Sequence, residues 1–151
     1  MPQSLAKVLV HIVFSTKHRY PFLSDKTIRK EMHAYLGGTC KALESPVLIV
    51  GGVADHVHIL CALTRNHSIA KLVGEIKRNS SKWVKTKGKT LEKFAWQNGY
   101  GIFSVSQSQV ERVRQYIAGQ EEHHRKKTFQ EEYRTFLKKY EVEHDERYIW
   151  D

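Results

Sequence analysis

The sequence has few cysteines and prolines and no long hydrophobic run, and each shortage excludes a class of protein. Its two cysteines, Cys40 and Cys61, form neither a C-x-x-C pair nor a zinc-finger spacing, so we assign them no redox or metal-binding role. No apolar run approaches the ~18–20 residues that a membrane-spanning helix needs. The three prolines are scattered, and no linker, internal repeat or low-complexity tract divides the chain. We therefore expect one globular domain over residues 1–151, with no membrane-embedded part.

The N-terminal segment does not have the features of a secretory signal peptide. The apolar segment Val8–Phe14 lacks the basic flank and the small-residue cleavage site of a signal peptide. We interpret this segment as a strand, because its apolar residues alternate between two faces. We therefore expect a cytoplasmic protein.

Positive charge is in surplus. Lysine and arginine number 25 against 16 aspartates and glutamates, which gives a formal net charge of +9. A surplus of this size on a small domain favours a polyanionic partner, nucleic acid first and an anionic membrane surface second, with a merely solvated basic surface as the alternative. The candidate DNA-binding residues follow the first strand or line one face of the second helix, and they are Lys17, His18, Arg19, Lys71, Lys77, Arg78, Lys82 and Lys85.

Hydrophobic periodicity predicts eight elements in the order β-α-β-β-α-β-α-α. Strands are predicted at residues 5–14, 46–53 and 56–63, and a short or irregular fourth strand at 94–96 with 100–105. The first six elements predict an α+β, ferredoxin-like sandwich, in which an antiparallel sheet carries helices on one face, followed by two further helices. The first helix is expected to begin at an N-cap Ser24 and to run through Leu43, and the second to begin at an N-cap Ser68 and to end at Gly88. A capping box of Ser106 and Gln109 is expected to open the third helix, and the last helix is expected over about Thr128–Glu141.

A pair of histidines separated by one residue is the sharpest local feature. His56 and His58 fall on the same face of a predicted strand, because side chains alternate along a strand. Two neutral imidazoles so placed can bind one cation at roughly 2.0–2.2 Å. The alternative is a pair of hydrogen-bonded histidines at the surface or on an edge strand, without a ligand role. His11 lies on a strand that could neighbour His58, so a third ligand from there stays open.

The third predicted helix could complete this site. Tyr116 and Gln120 are four residues apart, so they share one face of a helix. A phenol can act as a covalent nucleophile when a neighbouring cation or base helps it lose its proton. The amide oxygen of Gln120 is a hard ligand that suits Mg²⁺ or Mn²⁺. The alternative is a surface tyrosine that packs against a neighbouring element. The basic run His123–Lys127 is a further candidate DNA contact.

Taken together, these residues resemble the single-tyrosine HUH transposases of the IS200-like insertion-sequence type, including those associated with repetitive extragenic palindromes. HUH denotes two histidines around a hydrophobic residue, here Val57. The resemblance spans essentially the whole chain. It depends on the segments HIVFSTKHRYPFL, GGVADHVHIL, WQNGYGIF and SVSQSQVERVRQYIAGQEEHH, read in chain order.

The resemblance implies a metal-dependent DNA strand transferase. It implies that His56, His58 and Gln120 bind one divalent cation, Mg²⁺ or Mn²⁺, and that Tyr116 attacks the scissile phosphate to leave a 5′-phosphotyrosine and a free 3′-OH. It further implies single-stranded or hairpin-marked DNA as substrate and a homodimer in which one subunit's tyrosine can meet the other's histidines. A nucleoid-associated protein of a prokaryotic cytoplasm is expected.

Three other functions fit parts of the sequence. The first is a non-catalytic or domesticated regulator that binds hairpin DNA with the same fold. The second is a replication or conjugation nickase, which commonly needs a longer chain than 151 residues. The third is a small-molecule zinc hydrolase, which would have no use for the positive charge.

Overall fold

A four-stranded antiparallel sheet organises the fold, with the strands in the spatial order β2-β3-β1-β4. The computed structural model describes residues 2–151. The strands are β1 (Leu9–Ser15), β2 (Val47–Gly52), β3 (His56–Ala62) and β4 (Gly101–Val105). The helices are α1 (Lys26–Ala42), α2 (Ile69–Val84), α3 (Val110–Ala118), α4 (Gln120–His123) and α5 (Phe129–Lys139). This arrangement confirms the predicted α+β class. The order of the elements also agrees with the prediction, except that the third predicted helix is split at Gly119 into α3 and α4.

One face of the sheet is apolar and lies under α1 and α2. Alternation along β1 and β3 sends one set of side chains to this face, where they pack against helix residues such as Met32 and Ile76 in the largest hydrophobic cluster. Burial of these side chains supplies most of the driving force for folding. The buried residues that β1 and β3 contribute to this face are Val10, Ile12, Phe14, Val57, Ile59 and Cys61.

The opposite face of the sheet carries the histidines. His11 on β1 and both His56 and His58 on β3 are buried there, beneath α3 and α5. β1 and β3 pair so that His11 lies opposite Leu60, two residues from His58. Such diagonal neighbours on one face are close enough for their side chains to touch. The C-terminal helices therefore cover the face that the first two helices leave open.

Several predicted boundaries were wrong for local reasons. Asp25, not Ser24, caps α1, because its carboxylate accepts the amides of Thr27 and Ile28. The capping box of Ser106 and Gln109 is absent, since residues 107–109 form a 3₁₀ turn and α3 begins only at Val110. Residues 94–96 form no strand, apart from a single bridge between Thr16 and Trp96. α2 ends at Val84, and a 3₁₀ turn follows before Gly88.

Two other predicted boundaries agree with the structure. The Ser68 hydroxyl caps α2 by accepting the amide of Lys71. Thr128 does the same for α5 by accepting the amide of Glu131, so that helix starts where the sequence predicts. No helix in the part of the chain that the structure describes is long and apolar enough to cross a membrane.

Candidate active site

The tight connection between β2 and β3 sets the direction of the histidine pair. Gly52 has φ +155°, and a Cβ at this position would collide with the carbonyl oxygen of His56. A glycine is therefore required where the chain turns into β3. From there His56 and His58 point to the same face of the sheet, and both are 0% exposed. Val57 between them points into the apolar core on the other face, as the alternation predicts.

Each imidazole of the pair is held through its Nδ1 atom. His56 Nδ1–H donates to Asp55 Oδ1 at 2.7 Å. His58 Nδ1 lies 2.7 Å from His11 Nε2. His11 is thus a partner of His58 and is not turned toward the shared site as a third ligand. With both Nδ1 atoms engaged, the two Nε2 atoms are the ones that face a common point.

A buried carboxylate occupies that common point. Glu132 of α5 is only 2% exposed, and its Oε1 lies 2.9 Å from His58 Nε2 and 3.3 Å from His56 Nε2. Gln120 is also buried, and its Oε1 accepts a hydrogen bond from His56 Nε2–H at 3.1 Å. The predicted histidine pair and Gln120 are therefore brought together, around a glutamate that the sequence analysis did not identify.

The other oxygen of this carboxylate gathers the remaining groups. The Tyr116 hydroxyl donates to Glu132 Oε2. His124 Nε2 lies 3.1 Å from the same oxygen. The side-chain amide of Gln120 donates to it at 3.3 Å, and His123 Nε2 lies 3.2 Å from the Tyr116 hydroxyl oxygen. The phenol thus lies beside the histidine pair of its own chain, although a break at Gly119 separates α3 from α4.

The pKa shifts agree with one negative charge at the centre of this site. Burial opposes charge on His56, but hydrogen bonds to Asp55 and Glu132 outweigh it and raise its pKa to about 9. Burial also opposes charge on Glu132, yet hydrogen bonds from His124, His56 and His58 hold the pKa of that carboxyl well below its usual range. Burial and the charge of Glu132 raise the pKa of the Tyr116 phenol. Burial, reinforced by His58, lowers the pKa of His11 to about 3.

The donor set fits a divalent cation. Ligand atoms of His56, His58, His124 and Glu132 all lie within 4.8 Å of one another. Imidazole nitrogen with carboxylate and amide oxygen is a mixed set that suits Mn²⁺ or Zn²⁺ and, through its oxygens, Mg²⁺. The imidazoles must lose their Nε2 protons before they can bind a metal, so binding would release protons.

Two members of this set were missed in the sequence. His124 lies in the run that the sequence predicts as a DNA contact, but the chain turns there and places its imidazole Nε2 3.1 Å from Glu132 Oε2. Glu132 carries a usable signal. It lies three residues after Phe129 and four before Phe136, so a lone carboxylate stands within an apolar helical stripe. An acid at such a position is costly to bury unless it has partners.

The predicted basic residues are not brought together at this site. α2 covers the apolar face, so its lysines and arginine lie on the far side of the sheet from the histidines. Lys77 is half-buried, and its ammonium donates to the carbonyls of Gln97 and Asn98 at 2.8 and 3.1 Å. Lys17 and His18 are exposed in the turn after β1. Arg19 alone lies near the site, in a cleft that it shares with Asp55 and His124.

Comparison with known proteins identifies the class to which this fold and site belong. The model of the family described as Transposase IS200 like matches residues 4–120. The chain therefore belongs to the IS200-like transposase family. Within the matched region lie the histidine pair, Tyr116 and Gln120, whereas His124 and Glu132 lie beyond it. Among curated proteins, none matches this sequence.

Two solved structures share the fold. One is a protein from Deinococcus radiodurans R1 described as a transposase, with 22% identity and a TM-score of 0.61 over 80% of this chain and 95% of its own. The other is a tyrosine transposase associated with repetitive extragenic palindromes (REPs), bound to a REP hairpin. It has 11% identity and a TM-score of 0.52 over 78% of this chain and 67% of its own.

Proposed function

We propose that this protein is a metal-dependent transposase of single-stranded DNA, with Tyr116 as the nucleophile. The observation that carries the proposal is the convergence of two imidazole Nε2 atoms, the side-chain amide group of Gln120 and a phenol on one buried carboxylate. In the proposed reaction, the Tyr116 oxygen attacks the scissile phosphorus and the bond to the 3′-oxygen breaks. A 3′-OH leaves with a proton, and a 5′-phosphotyrosine remains. A second 3′-OH can reverse the step and join strands without an external energy source.

We propose His56, His58 and Gln120 as metal ligands, joined by Glu132, with His124 within reach of the same position. A divalent cation held there would offset the charge of Glu132 and polarise the scissile phosphate. The surrounding residues explain why Tyr116 is unreactive in the absence of a cation. Burial and the charge of Glu132 keep the phenol protonated, so Tyr116 is a weak nucleophile until that charge is compensated.

The substrate is proposed to be single-stranded DNA near a hairpin. The net charge of +9 supports a polyanionic partner. The REP transposase, which shares the fold, was solved with a hairpin, and this supports the hairpin part of the proposal. Such a protein would act as one domain over residues 1–151, near the nucleoid in the cytoplasm of a prokaryote. Hairpins in the DNA that flanks the gene would indicate an intact mobile element.

The decisive experiment is a covalent-adduct assay on hairpin oligonucleotides with single-stranded flanks, in Mg²⁺ and in Mn²⁺. Wild-type protein is expected to form an adduct that resists denaturation, and Tyr116→Phe to form none while it still binds the hairpin. Tyr148→Phe is the matched control, because Tyr148 is 66% exposed and lies outside the site. If the Tyr116→Phe variant still forms the adduct, the nucleophile assignment is wrong.

A non-catalytic regulator is the second candidate. It is favoured by Glu132, whose carboxylate already fills the position between the imidazoles and accepts the phenol hydrogen bond. This candidate predicts salt-dependent hairpin binding with no adduct and no cleavage in either metal. The same assay separates it from the leading proposal.

A homodimer is proposed, with the active site assembled within one chain. The contact between Tyr116 and Glu132 beside the histidines of the same chain supports this cis arrangement. Mixing Tyr116→Phe with His58→Ala protein tests it. A cis site predicts no recovery of adduct formation, whereas recovery would show that the tyrosine serves the partner's histidines.

A further inference from the structure

A cleft beside the candidate nucleophile has the size and chemistry of a nucleotide site. It lies between β4, α3 and α5, and its volume is about 650 Å³, within the range of small-ligand pockets. Tyr116 and Glu132 line the cleft, and so do Phe136 and Tyr140 of α5, which form its aromatic wall. Because α5 contributes this wall, the cleft depends on residues beyond the 4–120 region that matches the family.

The aromatic wall is a rigid, supported platform. Phe103 is buried behind it and stacks against both rings, with centroid distances of 5.5 Å to Phe136 and 4.7 Å to Tyr140. Both rings are half-buried, so each keeps a surface toward the cleft. The Phe136 ring lies 5.9 Å from the ring of Tyr116. Any group that stacks on this wall is therefore next to the phenol.

The charges around the cleft select an anionic occupant. Three cationic side chains, Arg112, Lys127 and Lys139, line it. The one acid in the lining is Glu132. This residue is 2% exposed, and the histidines enclose its carboxylate. Hydroxyl and amide groups of Ser104 and Gln109 complete the polar side. An aromatic platform edged by cations is the arrangement with which proteins bind single-stranded nucleic acid.

We infer that this cleft binds one unpaired nucleotide adjoining the scissile phosphate, with its base stacked on Phe136 and Tyr140. The inference rests on the proposed function for the position of the scissile phosphate, and it adds a protein subsite for a base. A paired base in a duplex is stacked on its neighbours and cannot enter, so the cleft selects unpaired DNA. The cations at its edge would contact the phosphates on either side of that nucleotide.

A fluorescence assay tests the cleft without requiring cleavage. The probe is a heptamer of deoxythymidine with a central 2-aminopurine, whose fluorescence falls when its base stacks on an aromatic ring. Wild-type protein is expected to quench the probe. Phe136→Leu and Tyr140→Leu keep apolar packing but lose stacking, so we expect about tenfold weaker binding, in line with the measured contribution of one stacked base. Tyr148→Leu is the control and should bind as wild type does.

Thermal unfolding of each variant checks that the fold is intact. If both leucine variants quench the probe with wild-type affinity, the inferred subsite is wrong. If only Tyr148→Leu weakens binding, the base stacks elsewhere and the inference is overturned as well.

Abasic substitution locates the nucleotide on a cleavable hairpin substrate. Loss of the base at one flanking position should slow adduct formation about tenfold in wild type and have little further effect in Tyr140→Leu, because both changes remove the same contact. An equal abasic penalty in wild type and Tyr140→Leu would refute the subsite while the adduct itself still forms. Absence of any adduct in wild type would instead refute the proposed function, leaving the heptamer assay to decide the subsite.

Discussion

One face of the sheet is apolar throughout and the other carries a buried polar cluster, although the same strands supply both. On β3, Val57 and Ile59 enter an apolar core under α1 and α2. On the same strand, His56 and His58 enter a polar cluster under α3 and α5. The first face is held by apolar burial and dispersion alone, whereas the second combines two smaller apolar clusters with directional hydrogen bonds to a single carboxylate.

The comparison shows how a small domain can keep a reactive group of side chains in place. A strand whose alternate residues are locked in a close-packed core has little freedom to turn, so the histidines on its other face are fixed with it. Each imidazole then needs only one further contact, from Asp55 or His11, to set its orientation. The apolar face should therefore control stability, and the polar face should control metal binding with smaller effects on stability.

The largest effect on stability is expected on the apolar face. Phe14 is fully buried, with its ring centroid 4.8 Å from that of Trp96. Phe14→Ala should lower the free energy of unfolding by about 3–5 kcal/mol, through lost burial and the cavity left behind. Urea unfolding followed by tryptophan fluorescence measures this loss. Tyr20→Ala, at a 59% exposed ring, is the control and should change it by less than about 0.5 kcal/mol. A Phe14→Ala loss under about 1 kcal/mol would contradict the assigned role of this face.

The central carboxylate should matter less for stability and more for metal binding. Glu132→Gln replaces an acceptor that several imidazoles and a phenol share, so buried donors lose their partner. We expect the metal-free protein to lose about 1–3 kcal/mol of unfolding free energy. Titration calorimetry should show weaker Mn²⁺ binding in the same variant. Glu122→Gln, on an exposed helix position, should change neither quantity. Unchanged Mn²⁺ affinity in Glu132→Gln would remove Glu132 from the ligand set.

The group that orients His58 is expected to act mainly on metal binding. His11→Phe keeps the ring volume but leaves His58 Nδ1 without a partner, so Mn²⁺ affinity should fall about 10–100-fold, as is typical when such supporting contacts are lost. His11→Gln restores a hydrogen-bonding group and should recover part of the affinity. His144→Phe, which lies outside the cluster, is the control. If His11→Phe binds Mn²⁺ as wild type does, the orientation of His58 does not depend on His11.

The smallest effect concerns an imidazole that has no hydrogen-bond partner at Nε2. His33 on α1 is partly buried, and burial together with Arg29 lowers its pKa from 6.5 to about 4. A lowered pKa means that protonation favours the unfolded chain, so this contribution to stability is present above pH 6.5 and is lost as the pH falls toward 4. His33→Gln should therefore lose less stability than wild type between pH 7 and pH 5, as urea unfolding at both values can measure. Identical losses would show that His33 does not titrate in this window.

The strength of each sequence signal depends on whether the pattern is local. Alternation in β3 predicts that His56 and His58 share a face, and the structure agrees because strand geometry is set within a few residues. The i, i+4 spacing of Tyr116 and Gln120 predicts one shared helix face. The helix breaks at Gly119 between them, yet both side chains reach Glu132. The capping box at Ser106 failed because a 3₁₀ turn there competes with the first turn of the helix. Most of the predicted basic residues lie away from the site. Their charge could not predict this, because charge alone does not say which face of a fold a helix covers.

From its local patterns, the sequence by itself determined the class of fold, the order of the elements, the shared face of the histidine pair and the family. Only the tertiary structure decided that α5 crosses over these histidines, that Glu132 and His124 join them, and that His11 supports His58. These contacts join residues 47 to 76 positions apart, so no short-range periodicity records them. They arise when distant segments are forced together by burial of apolar stripes, and the polar groups carried along must then find partners with one another.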